Sequence, residues 1–407
     1  MKNTKAALGF IFITLLIDVI GFSVVIPVLP GLISELRHVP VNEAGKYGGW
    51  LLAAFAIAQF LFSPLLGNLS DKYGRRPVLL FSLLGFGIDY LIMAFAPSYT
   101  WLLIGRLVAG VTGASFTTAS AYIADISTPE DRAKNFGLIG AAFGMGFVIG
   151  PFLGGVSADL FGLRTPFYVA ATLSFLNFLY GFFILPESLS KENRRNFDWK
   201  KANPINTFIT LSKYKKIAGL LFAFIFLYLG SHAVQSNWSY FTMFRFSWSK
   251  SMVGYSLAAV GVLVGLVQGL LIKYINPRLG NEKSVYVGFG LYALGMFLFA
   301  FASQSWMMFA FLIPYCLGGI SGPALQAIMS SEVPATHQGE LQGGLTSLMS
   351  ATSIIGPVMM TGLFAYTTKA DSPVYFPGAP FILGGILMLI SSLITYWDLH
   401  WRHRNSA

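Results

Sequence analysis

The chain turns between two apolar runs through Gly67-Asn-Leu-Ser-Asp71-Lys-Tyr-Gly74-Arg75-Arg76-Pro77. The runs on either side, at about 47–66 and 78–97, are each long enough to cross the roughly 30 Å hydrocarbon core of a bilayer as a helix. Gly74 permits a tight turn, and Pro77 suits the first turn of the helix that follows. The stretch therefore predicts a short polar loop between two membrane-spanning helices.

Apolar runs of the same kind continue in both directions, which predicts an all-α membrane protein of about twelve spanning helices. Frequent Gly and Pro within the runs suit membrane helices, whereas barrel strands would show segments of about ten residues that alternate apolar and polar side chains. Together with the two above, the runs lie at about 6–30, 47–66, 78–97, 100–122, 136–158, 164–185, 218–240, 252–275, 285–303, 305–330, 341–366 and 377–399.

The composition excludes an ordinary soluble protein. Of the 407 residues, 55% are hydrophobic and only 11% are charged, whereas soluble domains carry roughly a quarter charged residues. The single Cys316 has no second cysteine for an intramolecular disulfide, and no Cys/His spacing indicates a metal site. The sequence also has no Walker loop and no hydrolase motif. We therefore expect no metal, no cofactor and no enzymatic activity, which leaves an ion gradient, most simply of protons, as the energy source.

The net charge of +10 reflects membrane topology rather than nucleic-acid binding. Most of the 27 Lys and Arg residues fall in loops on the side that holds both termini and the segment 186–217. The positive-inside rule therefore predicts that both termini and this linker are cytoplasmic, with a weak attraction to anionic lipids. The run at 6–30 contains Asp18 and has no small-residue cleavage site after it, so we expect a retained helix rather than a secretory signal.

An internal repeat divides the chain into two halves. A displacement of 206 residues lays Ile149-Gly150-Pro151 on Ile355-Gly356-Pro357 and Gly113 on Gly319. This parallel duplication predicts an N-terminal six-helix bundle at 1–185, a cytoplasmic linker at 186–217 and a C-terminal six-helix bundle at 218–407. Two such bundles that rock around a midplane site give alternating access. The repeat therefore favours a transporter, although a duplicated membrane enzyme or receptor stays open at this point.

Two acidic residues, Asp18 and Asp89, lie deep within apolar runs. A carboxyl group there is expensive and usually faces a cavity or a partner, and loss of water favours its neutral form. Either one is a candidate proton carrier, and the alternative is a fixed ion pair or a helix–helix hydrogen bond. Arg106 also lies within a run and needs an acidic or carbonyl partner. It either holds Asp89 in the charged form or lies near Asp18 and acts on its protonation when the helices move.

The loop at 67–77 and the glycines near residue 150 are candidate gating elements. Asp71, Arg75, Arg76 and Asp125 offer a charge network that would latch the cytoplasmic ends of helices two to four, with Gly67 and Gly74 as the turn residues; alternatively, the cations only set topology. Small residues four apart allow close helix packing, and a proline allows a bend. The second element is therefore either plain packing or a tight interface against a helix of the other half that controls leak. The residues of this second element are Gly146, Gly150, Pro151, Gly154 and Gly155.

Polar residues within the runs are candidates for a substrate cavity. His232 alone is more typical of a hydrogen-bonded structural residue than of a ligand. The candidate cavity residues are Gln59, Ser115, His232, Gln235, Asn237, Gln268 and Gln326.

These motifs together resemble the major facilitator superfamily, and within it the tetracycline/proton antiporter branch of the drug exporters, over nearly the whole chain. The motifs that carry this resemblance are Asp18-x2-Gly21, Ile26-Pro27-Val28-Leu29-Pro30, the loop 67–77, Gly105-Arg106-x3-Gly110-x2-Gly113-Ala114, Gly146-x3-Gly150-Pro151-x2-Gly154-Gly155, Gly322-Pro323-Ala324-Leu325-Gln326-Ala327, His337-Gln338-Gly339-Glu340-Leu341-Gln342-Gly343 and Ile355-Gly356-Pro357.

The resemblance implies a monomeric bacterial inner-membrane antiporter that exports a small amphipathic compound in exchange for protons. It implies proton coupling by Asp18, Asp89 and Arg106, gating by Asp71, Arg75 and Asp125, and cavity positions at Gln59 and Gln268. Two ionisable groups usual in the branch are missing, since Val264 stands at the position of a His and Tyr292 at that of an Asp. The identity of the drug is therefore not carried over. A proton-coupled uptake symporter for a sugar or metabolite, and a non-transporting sensor or scaffold, are the alternatives.

Overall fold

The computed structural model describes residues 4–113, 115–128, 131–197, 215–334 and 338–406. Residues 198–214 of the predicted linker and His337 of the sequence motif lie outside these ranges. The ordered secondary structure in the described residues is helical throughout, as the apolar runs predict.

The helices of the first half are α1 (Thr4–Val24), α2 (Leu29–Arg37), α3 (Val41–Tyr73), α4 (Arg75–Phe95), α5 (Tyr99–Thr112), α6 (Ser115–Ile126), α7 (Arg132–Phe161) and α8 (Thr165–Ile184). The helices of the second half are α9 (Ala218–Phe246), α10 (Lys250–Leu266), α11 (Ile272–Ala300), α12 (Ser305–Leu317), α13 (Ser321–Ser331), α14 (Gln338–Thr367) and α15 (Ala379–Ser406). Short 3₁₀ turns lie at Lys191–Asn193, Lys215–Ile217 and Gly318–Ile320, and a π-helical turn at Val267–Leu271 joins α10 to α11.

Eleven helical segments in the described part of the chain are long and apolar enough to cross a membrane. One of them, Lys250–Ala300, is 51 residues long and includes two of the runs predicted as separate helices. Gly280 breaks this segment with φ of 74° and ψ of 165°, a conformation outside the helical region. The segment therefore supplies two crossings, and the predicted all-α architecture of about twelve spanning helices is confirmed.

Two of the predicted element boundaries are corrected. The run at 6–30 is not one helix, because α1 ends at Val24 and α2 begins at Leu29; Pro27 lacks the N–H that a continuous helix requires and disfavours helical backbone in the residue before it. The loop at 67–77 is reduced to Gly74, since α3 continues to Tyr73 and α4 begins at Arg75. Amphipathic residues at the end of a membrane helix stay helical after the apolar run has ended.

The 206-residue repeat recurs in the helix boundaries. Both ends of α7, Arg132 and Phe161, shift onto the ends of α14 at Gln338 and Thr367. Gly74 shifts onto Gly280, and both have positive φ. The two halves thus use glycine, which has no Cβ, for the same turn.

The described chain forms two compact units that differ from a simple division into halves. Unit 1 comprises Met1–His38, Ala54–Pro204 and Trp248–Gly261, and unit 2 comprises Val39–Ala53, Ile205–Ser247 and Val262–Ala407. Two helices, α3 and α10, therefore contribute their first part to one unit and their second part to the other. The bundles at 1–185 and 218–407, joined by the linker, remain a prediction about which segments move together.

Large apolar side chains occupy both the interior and the surface of the helices. Phe10, Ile11 and Leu15 of α1 are fully buried in unit 1. By contrast, Phe161 is 75% exposed and Phe183 is 78% exposed. Exposed large apolar residues at helix positions suit contact with lipid, because the hydrocarbon interior does not penalise them as water does.

Candidate transport site and gate

Asp18 is a buried carboxyl group in the middle of α1. Its exposed fraction is 6%, and neither of its oxygens has a hydrogen-bond partner among the described residues. The Ser115 side chain of α6 faces the carboxyl group, yet its hydroxyl also lacks a hydrogen bond of normal geometry. Tyr90 of α4 lies close enough to Asp18 to interact with its charge. The site thus offers two hydroxyl groups near a carboxyl group that holds no salt bridge.

Arg106 of α5 binds Asp89 of α4 through an ion pair between its terminal nitrogen and one carboxylate oxygen. Of the two arrangements left open by the sequence, the structure therefore has Arg106 on Asp89. Asp89 is fully buried and Arg106 is 8% exposed. Gly105 permits the close approach of the two helices, because a Cβ there would come within 2.7 Å of a carboxylate oxygen of Asp89.

Two aromatic rings flank the Arg106 guanidinium, and sequence reasoning assigned a role to neither. The guanidinium carbon lies 5.9 Å from the ring centroid of Phe55 on α3 and 5.9 Å from that of Tyr90. These distances are within the range of cation–π attraction. Aromatic residues are common throughout the chain, so their number alone gave no signal for these two.

The predicted charge network at one end of α3, α4 and α6 is present. An Arg75 terminal nitrogen donates to Asp71 at 2.5 Å and to the Ser70 hydroxyl at 2.7 Å, and its Nε donates to Asp125 at 3.1 Å. Arg76 instead donates to the Phe182 carbonyl at 2.5 Å. Gly67 lies inside α3, where its carbonyl accepts from Ser70. One arginine therefore joins three helix ends, and the second arginine binds α8.

Glu187, just after α8, completes this network and was not predicted. Its carboxylate accepts from the backbone N–H of Arg75 at 2.8 Å and of Arg76 at 3.2 Å, two donors that the start of a helix leaves unsatisfied. Gly74, with φ of 110°, makes room for it, since a Cβ at that position would overlap the Glu187 carboxylate. Ser188 also donates to Asp125 at 3.0 Å. No local pattern gave this signal, because the contact joins residues more than a hundred positions apart.

The glycine face of α7 packs tightly on α1 within unit 1. A Cβ at Gly146 would come within 2.6 Å of the Val19 side chain, and one at Gly154 would overlap the Val24 carbonyl. Next to Gly150, the Ser23 hydroxyl donates to the Gly146 carbonyl at 3.1 Å. Pro151 lies inside α7, and the helix continues through it.

A second face of α7 packs on the first part of α10, which also belongs to unit 1. A Cβ at Gly155 would overlap the Lys250 carbonyl. Asp159 accepts from the Lys250 ammonium at 3.2 Å and from the Ser251 backbone N–H at 2.7 Å. Asp159 thus combines an ion pair with the capping of the α10 N-terminus.

The candidate cavity residues are divided between the two units. In unit 1, Gln59 donates to the Gly113 carbonyl at 3.2 Å, and Ser115 faces Asp18 as described. The remaining five candidates lie in unit 2. They are His232, Gln235, Asn237, Gln268 and Gln326.

The five residues of unit 2 differ in exposure. His232 and Asn237 are buried, Gln326 is half-buried, and Gln235 and Gln268 are exposed. The His232 ring lies against Gly356 of α14, where a Cβ would overlap it. These observations describe each residue in its own unit, and the cavity itself remains a prediction.

The two positions where ionisable groups are missing are occupied by Val264 and Tyr292. Tyr292 stacks edge-on against Tyr315 at 5.1 Å between ring centroids. Its hydroxyl lies 3.7 Å, and the Gln268 amide nitrogen 3.9 Å, from the position that a Cβ on Gly319 would take. This part of unit 2 thus holds a tyrosine hydroxyl group and a glutamine amide close to Gly319.

The comparison with known families agrees with the fold. The family model described as Major Facilitator Superfamily matches residues 11–357 and, separately, residues 220–403. The chain therefore belongs to the Major Facilitator Superfamily, and it is a multi-pass membrane transporter of a small molecule rather than an enzyme.

Its relatives narrow this class to exporters. The chain is 42% identical to the tetracycline resistance protein, class C, of Escherichia coli, with 96% of each chain covered. It is 38% identical to the class D protein of Salmonella ordonez, over 96% of this chain and 97% of that one. The protein is thus a proton-coupled antiporter that exports a small organic compound, and these relatives do not favour the uptake and sensor alternatives.

Two solved structures share the fold at low sequence identity. The human organic anion transporter MFSD10 (TETRAN) has a TM-score of 0.72 at 23% identity, with 96% of this chain and 99% of that chain covered. The nucleoside transporter NupG has a TM-score of 0.76 at 14% identity, with 98% and 99% covered. At these identities the likeness concerns the fold alone.

Proposed function

We propose that this antiporter exports tetracycline, or a similarly flat amphipathic compound, and that Asp18 carries the proton exchanged for it. The observation that carries the proposal is the buried Asp18 carboxyl group without a hydrogen-bond partner. Support for the substrate comes from the relatives named for tetracycline resistance. The role in a cell would then be antibiotic resistance.

The surroundings of Asp18 favour the neutral acid in this conformation. A buried carboxylate that has no cation and no hydrogen bond of normal geometry is strongly disfavoured, so Asp18 holds its proton here. Arg106 is engaged with Asp89 and does not neutralise Asp18. Release of the proton to the opposite side then requires a conformation in which water or a donor reaches Asp18.

The network of Asp71, Arg75 and Asp125 acts in this proposal as the cytoplasmic gate. It joins α3, α4 and α6 in the present conformation, and opening of the cytoplasmic side breaks at least one of its pairs. The glycine face of α7 seals the packing against α1. The two bundles at 1–185 and 218–407 rock against each other, with the linker at 186–217 between them.

The substrate is recognised mainly through polar and aromatic contacts. With Val264 and Tyr292 at these two positions, the nearby part of unit 2 lacks the acid that would attract a positively charged complex of the substrate with a metal ion. We therefore expect substrate export to depend less on a metal ion bound to the substrate than it would with an acid at position 292. The protein needs no cofactor, because the proton gradient supplies the energy.

Several features of the proposed setting come from the sequence and the relatives. The protein lies in the bacterial inner membrane as a monomer surrounded by lipid, and both termini are cytoplasmic according to the distribution of Lys and Arg. Small-molecule substrate and protons are its partners.

The test measures proton movement out of acid-loaded proteoliposomes when tetracycline and magnesium are added. A pH-sensitive dye in the lumen reports this movement. Wild-type protein is expected to raise the lumenal pH, and Asp18→Asn to abolish this response while the protein stays folded. Asp371→Asn, in an exposed loop, is the matched control and should behave as wild type. Normal antiport by Asp18→Asn would refute the proton assignment. Flux only with other amphipathic compounds would refute tetracycline as the substrate and keep the antiport mechanism.

A further inference from the structure

The Tyr90 side chain lies near Asp18 of α1 and near Arg106 of α5. Its side chain is only 3% exposed. It interacts with the charge of Asp18, and its ring lies 5.9 Å from the guanidinium carbon of Arg106. It also follows Asp89 directly in α4. One side chain is therefore close to both parts of the charged site.

A glycine on α1 makes this position of Tyr90 attainable. Gly21 lies one helical turn after Asp18, and a Cβ at Gly21 would come within 3.0 Å of the Tyr90 hydroxyl oxygen and within 3.2 Å of a ring carbon. Contacts of this length are tighter than ordinary packing, so a side chain at residue 21 would displace Tyr90 by a few tenths of an ångström. The absence of a side chain at residue 21 thus permits the Tyr90 hydroxyl to lie against the turn of α1 that holds Asp18.

The chemistry of Asp18 creates a need for a hydrogen-bond donor. A carboxylic acid that releases its proton in a buried site leaves a charge that is stabilised mainly by donated hydrogen bonds. The Ser115 hydroxyl group faces Asp18, and the Tyr90 hydroxyl group lies against the turn of α1 that follows Asp18. A phenol keeps its own proton at neutral pH, so Tyr90 acts as a donor without becoming a carrier.

The charged groups on neighbouring helices are engaged elsewhere. Asp125 at the end of α6 binds Arg75, and Asp159 at the end of α7 binds Lys250. The helix α8 contributes Tyr168 and Tyr180. The other charged residues of α7, Arg132 and Lys134, have side chains outside the described part of the structure. Within the described residues, the ionisable groups near Tyr90 are thus Asp18 and the Arg106 guanidinium with its partner Asp89.

We propose that Tyr90 is a positioning residue for proton coupling. Its hydroxyl donates to the Asp18 carboxylate when that group loses its proton, while its ring face holds the Arg106 guanidinium on Asp89 and away from Asp18. The proton leaves from the Asp18 oxygen, and no bond of Tyr90 is broken. This inference rests on the proposed role of Asp18 as the proton carrier.

The experiment is an infrared pH titration of the purified, full-length protein. The signal is the C=O band of a protonated carboxylic acid that Asp18→Asn removes. Tyr90→Phe deletes only the hydroxyl, and we expect it to move the midpoint of this band to higher pH by about one pH unit, because the charged form has lost a donor. Gly21→Ala, which displaces the hydroxyl, should move the midpoint in the same direction. Tyr180→Phe, a ring stacked on Phe10 in the same unit, is the matched control and should leave the midpoint unchanged.

The outcomes separate this inference from the proposed function. An unchanged midpoint in Tyr90→Phe, with the Asp18 band present, would overturn the role of Tyr90 and leave Asp18 as the carrier. Absence of any band that Asp18→Asn removes would overturn the proposed function itself. Proteoliposome antiport at several pH values gives the second readout, in which Tyr90→Phe should shift the pH profile and leave the KM for tetracycline within about twofold. Thermal unfolding of each variant checks that the fold is intact.

Discussion

At the scale of single residues, the ion pair between Arg106 and Asp89 divides the ionisable groups of the site into a paired part and an unpaired part. Both members are buried and hold each other. Arg106 cannot lose its charge, so Asp89 has a permanent counter-ion, whereas Asp18 has none in the described structure. Two acids with the same sequence signal thus have different environments, and this difference supports Asp18 rather than Asp89 as the proposed proton carrier.

This difference predicts how the pair responds to mutation. Asp89→Asn leaves the Arg106 charge buried without a partner, and we expect it to lower the free energy of unfolding by about 3–5 kcal/mol. The double variant Asp89→Asn with Arg106→Gln removes both charges and should recover most of that stability. Thermal unfolding in detergent measures both proteins. A single variant as stable as wild type would show that Asp89 does not compensate the Arg106 charge.

The sequence predicted these residues unevenly, for physical reasons. Asp18, Asp89 and Arg106 were found because a charge within an apolar run is rare whatever the tertiary structure. Tyr90 and Glu187 were missed because an aromatic residue in a membrane helix and an acid after its end are both common. Their importance arises from contacts with residues far away in the chain, namely Gly21 and the start of α4.

At the scale of helices, α7 shows that glycines in one pattern differ in what they contact. Gly146, Gly150 and Gly154 lie against α1, whereas Gly140 and Gly144 have no other atom within 4 Å of a Cβ placed on them. Spacing alone predicts small residues along the helix but not which face meets a neighbour. Helix number, the repeat and the all-α class were predictable, because they depend on the long apolar runs and their order.

The packing of α7 gives a prediction with its own internal control. In Gly154→Ala the new methyl group would overlap the Val24 carbonyl of α1, so the two backbones must separate. We expect a loss of about 1–3 kcal/mol in stability, together with reduced antiport. Gly144→Ala adds the same methyl group in open space and should be neutral or stabilise the helix by up to about 1 kcal/mol. Equal unfolding temperatures for the two variants would contradict the close packing of α1 on α7.

At the scale of the whole molecule, contacts at equivalent places in the two halves attach the first part of α3 to the end of α14 and the first part of α10 to α7. In unit 2, the Asn42 amide on α3 donates to the Thr368 carbonyl just after α14 at 3.1 Å. In unit 1, Asp159 on α7 binds Lys250 and the backbone of Ser251 on α10. The duplicated halves therefore use the same helix pairs, but one contact is neutral and the other is charged. Each contact joins the predicted bundle at 1–185 to the predicted bundle at 218–407, so the proposed rocking motion of these bundles has to break bonds here.

A cross-link tests this motion directly, and the sequence makes the experiment simple because Cys316 is the single cysteine. In a Cys316→Ser background, Asp159→Cys with Ser251→Cys places two thiols at the contact between α7 and α10. If alternating access requires these helix ends to separate, oxidation should abolish antiport in proteoliposomes, and a reductant should restore it.

The control pair, Thr14→Cys with Asn177→Cys, joins α1 to α8 inside the predicted N-terminal bundle. The native side chains of these two residues form a hydrogen bond at 3.2 Å. Cross-linking of that pair should leave transport unchanged, because both helices move together. Full antiport by the completely oxidised 159/251 protein would show that α7 and α10 stay joined throughout the cycle, and the rocking of the two bundles would have to be abandoned.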